Sequence, residues 1–176
     1  MITLLNWVER AIVGLLGLGA LGVGLGQVLG RYVYPDLGSG WGDEVMVYLV
    51  IWAVMIVSSE LVRTDGHVRP DLVLRLMGPQ TQRVVECLNC LVALVFAAGL
   101  VWYGWEIVDT AMLLDERSFS GMNFPMWIYD ACLPTGGALL FLRYAIRLWR
   151  FALHFDPATM QVGDVIAHER TPGLEA

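Results

Sequence analysis

The sequence contains no lysine, little charge of either sign and only three cysteines. All 11 basic residues are arginine, and charged residues make up 16% of the chain, against about 25% in an average soluble domain. The 17 acidic residues outnumber the arginines and give a net charge of −6. Because nucleic-acid binding needs a basic stripe or patch, the composition excludes that class and predicts no nucleic-acid partner.

Enzyme motifs and cofactor ligands are missing as well. The sequence contains none of the short motifs that mark P-loop nucleotide sites, zinc proteases or serine hydrolases. The three histidines, His67, His154 and His168, lie outside the apolar stretches, whereas haem between membrane helices needs histidines inside them. We therefore predict no catalytic residue, no metal site and no cofactor.

Apolar side chains are what the sequence has in excess. They make up 57% of the chain, and 19 glycines come in addition. A soluble domain of this length has too little interior to bury so much apolar surface. Four stretches are long enough to cross a bilayer, which takes about 20 helical residues. This pattern predicts an all-α integral membrane protein with four transmembrane helices, at about residues 11–30, 45–62, 84–108 and 126–148.

The segments around these spans are more polar. At about residues 64–78, apolar residues fall on one helical side and arginines on the other, which favours a short interfacial amphipathic helix. Pro134 predicts a kink in the fourth span. The polar stretch 156–176 is predicted to be a cytoplasmic tail, so the four-helix membrane domain is expected to cover residues 1–155.

The arginines are distributed unevenly between the two sides of the membrane. Nine lie in the N-terminal segment, the second loop or the C-terminal part, and only Arg31 and Arg117 lie in the other two loops. Arginine-rich loops stay in the cytoplasm, so both termini are predicted to be cytoplasmic. Arg143, Arg147 and Arg150 are interpreted as the snorkelling end of the fourth span.

Ionisable residues within membrane spans are candidates for function. Glu60 lies near one end of the second span, and we expect it to pair with Arg63, three residues on. Asp130 has no arginine three or four positions away, so it lies at headgroup level or meets a partner on another chain. A transport route needs several polar groups that converge at mid-depth. One or two acids in four helices are too few, which argues against a complete transporter.

The first span is rich in glycine. Seven of its twenty residues are glycine, and Gly22, Gly26 and Gly30 form two successive G-x-x-x-G spacings on one face. Small residues let helix backbones approach closely. This face therefore predicts a helix-packing site, with a partner helix either in this chain or in another.

Two blocks of sequence resemble a known family. The first, from Trp41 to Asp71, contains W-G-D-E, V-Y-L-V-I-W and R-T-D-G-H-V-R-P-D, and the second, from Phe124 to Pro134, reads F-P-M-W-I-Y-D-A-C-L-P. Together they resemble the small membrane subunit, the DctQ-like small permease, of tripartite ATP-independent periplasmic (TRAP) transporters. The similarity extends over about residues 5–150.

The resemblance implies a partner and a role. Such subunits pair with a large membrane subunit that holds the substrate and sodium sites, and a periplasmic binding protein delivers the solute. The resemblance thus implies a non-catalytic scaffold in the bacterial inner membrane, in contact with lipid, that braces the large subunit during sodium-driven uptake of an organic acid. No substrate or ion ligand of the family maps onto this sequence.

The residues expected at the subunit interface or in a structural role come from these blocks and from the glycine face. They are Asp43, Glu44, Trp52, Arg63, His67, Asp71, Gly22, Gly26 and Gly30, with Asp130 as a further candidate of unassigned role. Two alternatives stay open. One is a four-helix membrane redox protein that uses the Cys87-x-x-Cys90 pair, and the other is a small self-contained oligomeric exporter.

Overall fold

A computed structural model describes residues 2–33, 40–63, 78–119 and 122–153. These residues form five helices: α1 (Ile2–Tyr32), α2 (Gly42–Arg63), α3 (Pro79–Leu113), α4 (Met126–Asp130) and α5 (Cys132–Leu153). Apart from an isolated bridge between Arg117 and Pro125, these residues contain no β-structure. The all-helical prediction is thus confirmed. The expected interfacial segment, except for Gly78, and the polar tail 156–176 lie outside the described residues.

Three of the helices are long and apolar enough to cross a membrane. They contain the segments Trp7–Tyr32, Gly42–Val62 and Gln80–Leu113, which include the first three predicted spans. The helix α5 differs because Arg143, Arg147 and Arg150 occupy its second half. The fourth crossing and the orientation of the termini therefore remain predictions.

Local sequence explains where the helices begin. Asp43 and Glu44 lie in the first turn of α2, where carboxylates interact favourably with the helix dipole. Gly78 is extended and Pro79 follows it as the first residue of α3, a position where the missing N–H has no cost. At the other end of α3, Leu114 caps the helix and Asp115 takes a positive φ of 46° that turns the chain back.

The helix α5 lies at the centre of the bundle. It packs against α2 on one side and α3 on the other, while α1 packs mainly on α2 and α4 packs on α3. A small core forms where Val62, Ala97 and Leu140 meet, on α2, α3 and α5 respectively. The two outer helices, α1 and α3, consequently carry most of the exposed large apolar side chains.

Close packing of α5 depends on glycines that were not singled out from the sequence. A Cβ atom on Gly136 would lie 2.7 Å from Cε of Met55, and one on Gly104 would lie 2.9 Å from Cδ of Pro134. Contacts of this length are too short for any side chain, so the backbones of α2 and α3 approach α5 only because these positions lack one. This is the small-residue packing typical of membrane helices.

Candidate functional site

Charged side chains from four helices meet at one end of the bundle. Arg143 on α5 donates a hydrogen bond from Nη2 to Oε2 of Glu9 on α1 at 2.5 Å, and the same nitrogen lies 3.9 Å from Oε2 of Glu60 on α2. The other oxygen of Glu60 accepts a hydrogen bond from Nε of Arg10 at 2.8 Å. Two carboxylates and two guanidinium groups thus form a neutral network that joins α1, α2 and α5.

A second pair connects α5 to α3 at the same end. Nε of Arg147 donates to Oε1 of Glu86 at 2.6 Å, and Nη1 donates to the backbone oxygen of Val62 on α2 at 3.0 Å. We call the six residues of these two groups the charged end: Glu9, Arg10, Glu60, Glu86, Arg143 and Arg147. Its charges cancel, with three carboxylates and three guanidinium groups.

The C-terminal end of α5 is capped by a side chain from α3. Nε and Nη2 of Arg83 on α3 donate to the backbone oxygens of Phe151 and Ala152, at 3.0 and 2.5 Å. The last carbonyls of a helix have no partner within it, and an arginine is well suited to bind them. Arg83 therefore fixes the position of the C-terminal turn of α5 relative to α3.

Most of the charged end is withdrawn from solvent. The side chains of Glu9 and Arg143 are each 5% exposed and that of Glu86 is 3% exposed, whereas the side chain of Arg10 is 63% exposed. Breaking a buried ion pair leaves an uncompensated charge and costs far more than losing an exposed pair. The pairs of Arg143 and Arg147 therefore hold the bundle together more strongly than that of Arg10.

The charged end corrects two expectations from the sequence. Arg143 and Arg147 do not snorkel outward but bind carboxylates inside the bundle, and only Arg150 is exposed as expected. Glu60 also pairs with Arg10, and its expected pairing with Arg63 stays a prediction because the side chain of Arg63 lies outside the described residues. The bundle also contains more acids than the one or two expected, because Glu9, Glu60 and Glu86 all form ion pairs within it. Sequence spacing does not predict these pairs, because their members lie 50 to 134 positions apart.

Aromatic side chains and a proline kink hold the opposite end. The ring of Tyr48 on α2 packs against Phe124 and Tyr129, with centroid distances of 5.6 and 4.8 Å, and its hydroxyl donates to Glu44. Nε1 of Trp52 donates to the backbone oxygen of Ile128 on α4 at 3.2 Å. We call Glu44, Tyr48, Trp52, Phe124 and Tyr129 the aromatic end.

The predicted kink is present between α4 and α5. The helix is interrupted at Ala131, three residues before Pro134, whose ring has no N–H to give to the carbonyl of Asp130. The ring of Pro134 lies against Gly104 on α3. The kink is therefore held from one side by the hydrogen bond of Trp52 on α2 and from the other by the glycine of α3.

The connection between α3 and α4 folds back on itself beside the aromatic end. The backbone N–H of Ser118 donates to the oxygen of Phe124 at 2.9 Å, and Arg117 forms an ion pair with Asp115 at 3.0 Å. A shallow pocket of about 490 Å³ opens between this connection and Tyr48. Phe119, at its rim, is fully exposed.

The structure separates the candidate residues of α2 and α4 by exposure. Asp43 is exposed, so it is accessible to a partner. Glu44 and Trp52 are half-buried and make the internal contacts of the aromatic end. Asp130 ends α4 half-buried, and no hydrogen bond or ion pair within the described part of the chain engages its carboxylate. The structural role is thus visible for Glu44 and Trp52 alone.

The remaining candidates are divided in the same way. Gly22 and Gly26 are exposed, and a Cβ atom on either would meet nothing within 4 Å, whereas Gly30 is buried. The close contacts of α1 with α2 instead involve Gly24, where a Cβ atom would lie 3.1 Å from Sδ of Met46. Arg63 ends α2 with its side chain undescribed, and His67 and Asp71 lie outside the described residues.

None of the three cysteines forms a disulfide in the structure. Cys90 and Cys132 are buried, and Cys87 is half-buried on α3. Among the described residues, no group of three or more His, Cys, Asp or Glu side chains is arranged to hold a metal ion. The charged end and the aromatic end are sets of contacts between helices, and these contacts join the bundle.

Comparison with known proteins decides the family. The sequence profile of the DctQ component of tripartite ATP-independent periplasmic transporters matches residues 20–154, more than three quarters of the chain. The chain belongs to the DctQ family. This confirms the resemblance to a DctQ-like TRAP small subunit, and the matched region includes the last 13 residues of α1 and the whole of α2 to α5.

A curated member of the DctQ family is similar to this chain. The C4-dicarboxylate TRAP transporter small permease protein DctQ of Pseudomonas aeruginosa is 27% identical over 112 residues, which make up 62% of this chain and 53% of the relative. The match thus spans about half the length of that protein. Family membership and the membrane-capable helices identify a multi-pass subunit of a TRAP transporter in the inner membrane. DctQ components form a family with no known enzymatic activity.

Proposed function

We propose that this chain is a non-catalytic scaffold that braces the large membrane subunit of a TRAP transporter. The complex would take up an organic acid, delivered by a periplasmic binding protein and driven by a sodium gradient. The observation that carries the proposal is the DctQ match over residues 20–154. The name of the Pseudomonas aeruginosa relative makes a C4-dicarboxylate the first substrate to test.

The arrangement of charge supports a bracing role. The buried carboxylates Glu9 and Glu86 bind arginines at the charged end. A substrate route would instead need polar groups converging at mid-depth, usually on broken helices. Charges that hold helices to each other suit a rigid element, against which a moving transport domain can work.

The outer helices supply surface for lipid and for the large subunit. On α1, large apolar side chains such as Leu15, Leu18 and Leu25 are more than half exposed, and Gly22 and Gly26 on the same helix lie open. A helix of the large subunit could approach the backbone of α1 closely at these glycines. We propose this open face, together with exposed Asp43, as the contact with the large subunit. Arg63, His67 and Asp71 remain candidates of the same kind.

The proposed orientation places both termini in the cytoplasm. Nine of the 11 arginines then lie on the cytoplasmic side or at its boundary. The charged end faces the cytoplasm in this arrangement, and the aromatic end with the α3–α4 connection faces the periplasm. A binding protein would approach from that second side.

Co-purification tests the proposal. The full-length tagged chain, coexpressed with the large membrane subunit of a TRAP transporter from the same genome, should retain that subunit in mild detergent. Gly22→Leu/Gly26→Leu should reduce its recovery about tenfold, because bulky side chains hold the helices apart. Asp43→Ala should weaken assembly less.

A matched control is Gly14→Leu/Gly17→Leu, which adds the same bulk at two open glycines of α1 that lie outside the Gly22/Gly26 face. Its recovery of the large subunit should stay well above that of Gly22→Leu/Gly26→Leu. Failure of the unmodified chain to retain any large membrane subunit would contradict the proposal. If Gly22→Leu/Gly26→Leu retains as much large subunit as the unmodified chain, the contact does not lie on this face of α1.

A further inference from the structure

The uncharged part of α5 is too short to cross a membrane. It extends over residues 132–142, which at 1.5 Å per residue span about 16 Å, against a hydrocarbon thickness of about 30 Å. Asp130 lies just before it, and Arg143 and Arg147 follow it. By contrast, α1, α2 and α3 each contain a sufficient apolar segment. Apolar length therefore accounts for three crossings and leaves the fourth unexplained.

The helix α5 nevertheless lies alongside the other helices over its full length. Near its beginning, Pro134 lies against Gly104 of α3, and Gly136 lies against Met55 of α2. Near its end, Arg83 of α3 binds the carbonyls of Phe151 and Ala152. Because α2 and α3 are membrane-capable, α5 occupies the same depth range as they do.

Each of the three apolar helices provides one carboxylate for the arginines of α5. Glu9 of α1 and Glu60 of α2 face Arg143, at 2.5 and 3.9 Å, and Glu86 of α3 binds Arg147 at 2.6 Å. An arginine placed at membrane depth without a partner strongly opposes insertion. The carboxylates remove this obstacle only when their own helices are already in position.

We propose that α5 is a conditional membrane span, which enters and remains only against the assembled α1, α2 and α3. The three apolar helices insert on their own hydrophobicity and together present Glu9, Glu60 and Glu86. These carboxylates neutralise Arg143 and Arg147 and thereby set the side of the membrane on which the C-terminal tail lies. The proposal rests on the four-span arrangement above, and it is independent of what the complex transports.

Topology reporters on the full-length chain test this dependence. The C-terminus is fused in parallel to alkaline phosphatase, which is active outside the cytoplasm, and to green fluorescent protein, which fluoresces inside it. Glu86→Arg places a positive charge against Arg147 and should raise the ratio of phosphatase activity to fluorescence about tenfold. The charge-swapped variant Glu86→Arg/Arg147→Glu should return to within about twofold of the unmodified chain.

Gln80→Arg is the matched control, because it adds the same charge to an exposed position at the same end of α3. It should read like the unmodified chain. An unchanged ratio in Glu86→Arg, or equal displacement in the single and swapped variants, would overturn the proposal. If the single variant does not accumulate, a swapped variant that accumulates with the normal ratio supports it, and one that fails as well overturns it. The topology reporters do not depend on co-purification with a large subunit. The conditional insertion of α5 can therefore be supported or overturned independently of the proposed function.

Discussion

The two ends of the bundle are joined by different interactions. At the charged end, ion pairs connect α5 to α1, α2 and α3, and most of their atoms are buried. At the aromatic end, the tilted ring contact of Tyr48 with Tyr129 and the hydrogen bond of Trp52 connect α2 to α4, and the fit of Pro134 against Gly104 connects α5 to α3. One end thus depends on neutralising charge, and the other depends on shape.

This difference follows from the membrane as a solvent. Lipid tails are as apolar as leucine, so the burial of hydrophobic side chains does not drive membrane helices to associate. Close packing and interhelical hydrogen bonds must supply the specificity instead. At the charged end, ion pairs between matched charges determine which helices pack together. At the aromatic end, helices pack closely because Gly104 has no side chain. The following variants test whether the two ends differ in strength as well as in kind.

The largest effect is expected from Arg143→Leu. It leaves Glu9 buried without a counter-charge, a change that costs about 3–5 kcal/mol in buried pairs. The free energy of unfolding in mixed micelles measures the loss. Arg150→Leu, at an exposed position on the same helix, is the control and should change stability by less than about 0.5 kcal/mol. Equal losses of stability in the two variants would show that the buried pair of Arg143 and Glu9 stabilises the bundle no more than an exposed arginine does.

At the aromatic end, Gly104→Ala should have the next largest effect. The added Cβ atom would meet the ring of Pro134 at 2.9 Å, and overpacking of this kind costs about 1–3 kcal/mol. Gly99→Ala is the matched control on α3, because a Cβ atom there meets nothing within 4 Å. The same unfolding measurement applies. Tolerance of Gly104→Ala would mean that the kink does not depend on this contact.

Trp52→Phe is expected to be milder. It removes the N–H that binds the oxygen of Ile128 while keeping an aromatic ring, and the loss of such a hydrogen bond costs about 1 kcal/mol. Trp102→Phe, exposed on α3, provides the comparison. Thermal unfolding followed by tryptophan fluorescence gives both values, and a larger loss at Trp102 would contradict the role assigned to Trp52.

The smallest effect should come from Arg10→Gln. The side chain of Arg10 is 63% exposed, and exposed ion pairs contribute about 0–1 kcal/mol because water and salt screen them. Added salt should reduce the difference between this variant and the unmodified chain. A loss as large as that of Arg143→Leu would make the exposed pair an equal part of the charged end.

The helices themselves could be predicted from the sequence because each depends on local composition. Apolar runs marked α1, α2 and α3, and Pro134 marked the break that separates α4 from α5. The charged end could not be predicted in this way, because Glu9 and Arg143 lie 134 positions apart and no local spacing links them. An arginine near the end of an apolar helix also has a simpler explanation, since snorkelling to the headgroups is common.

The glycines show the same limit. Gly22 and Gly26 have the spacing typical of a packing face, yet both are open, whereas Gly104 and Gly136 lack a regular spacing and make close contacts. Spacing along one helix indicates where a partner could approach, but the position of the partner is set by the whole bundle. Gly22 and Gly26 can therefore still serve a second chain.

Solute uptake by proteoliposomes tests the scaffold role most directly. Vesicles with an inward sodium gradient are prepared with this chain alone, with the large subunit alone and with both, and each is supplied with the binding protein and a labelled C4-dicarboxylate. We expect uptake only when both membrane subunits are present. Sodium-dependent uptake by vesicles that contain this chain without the large subunit would contradict a purely bracing role.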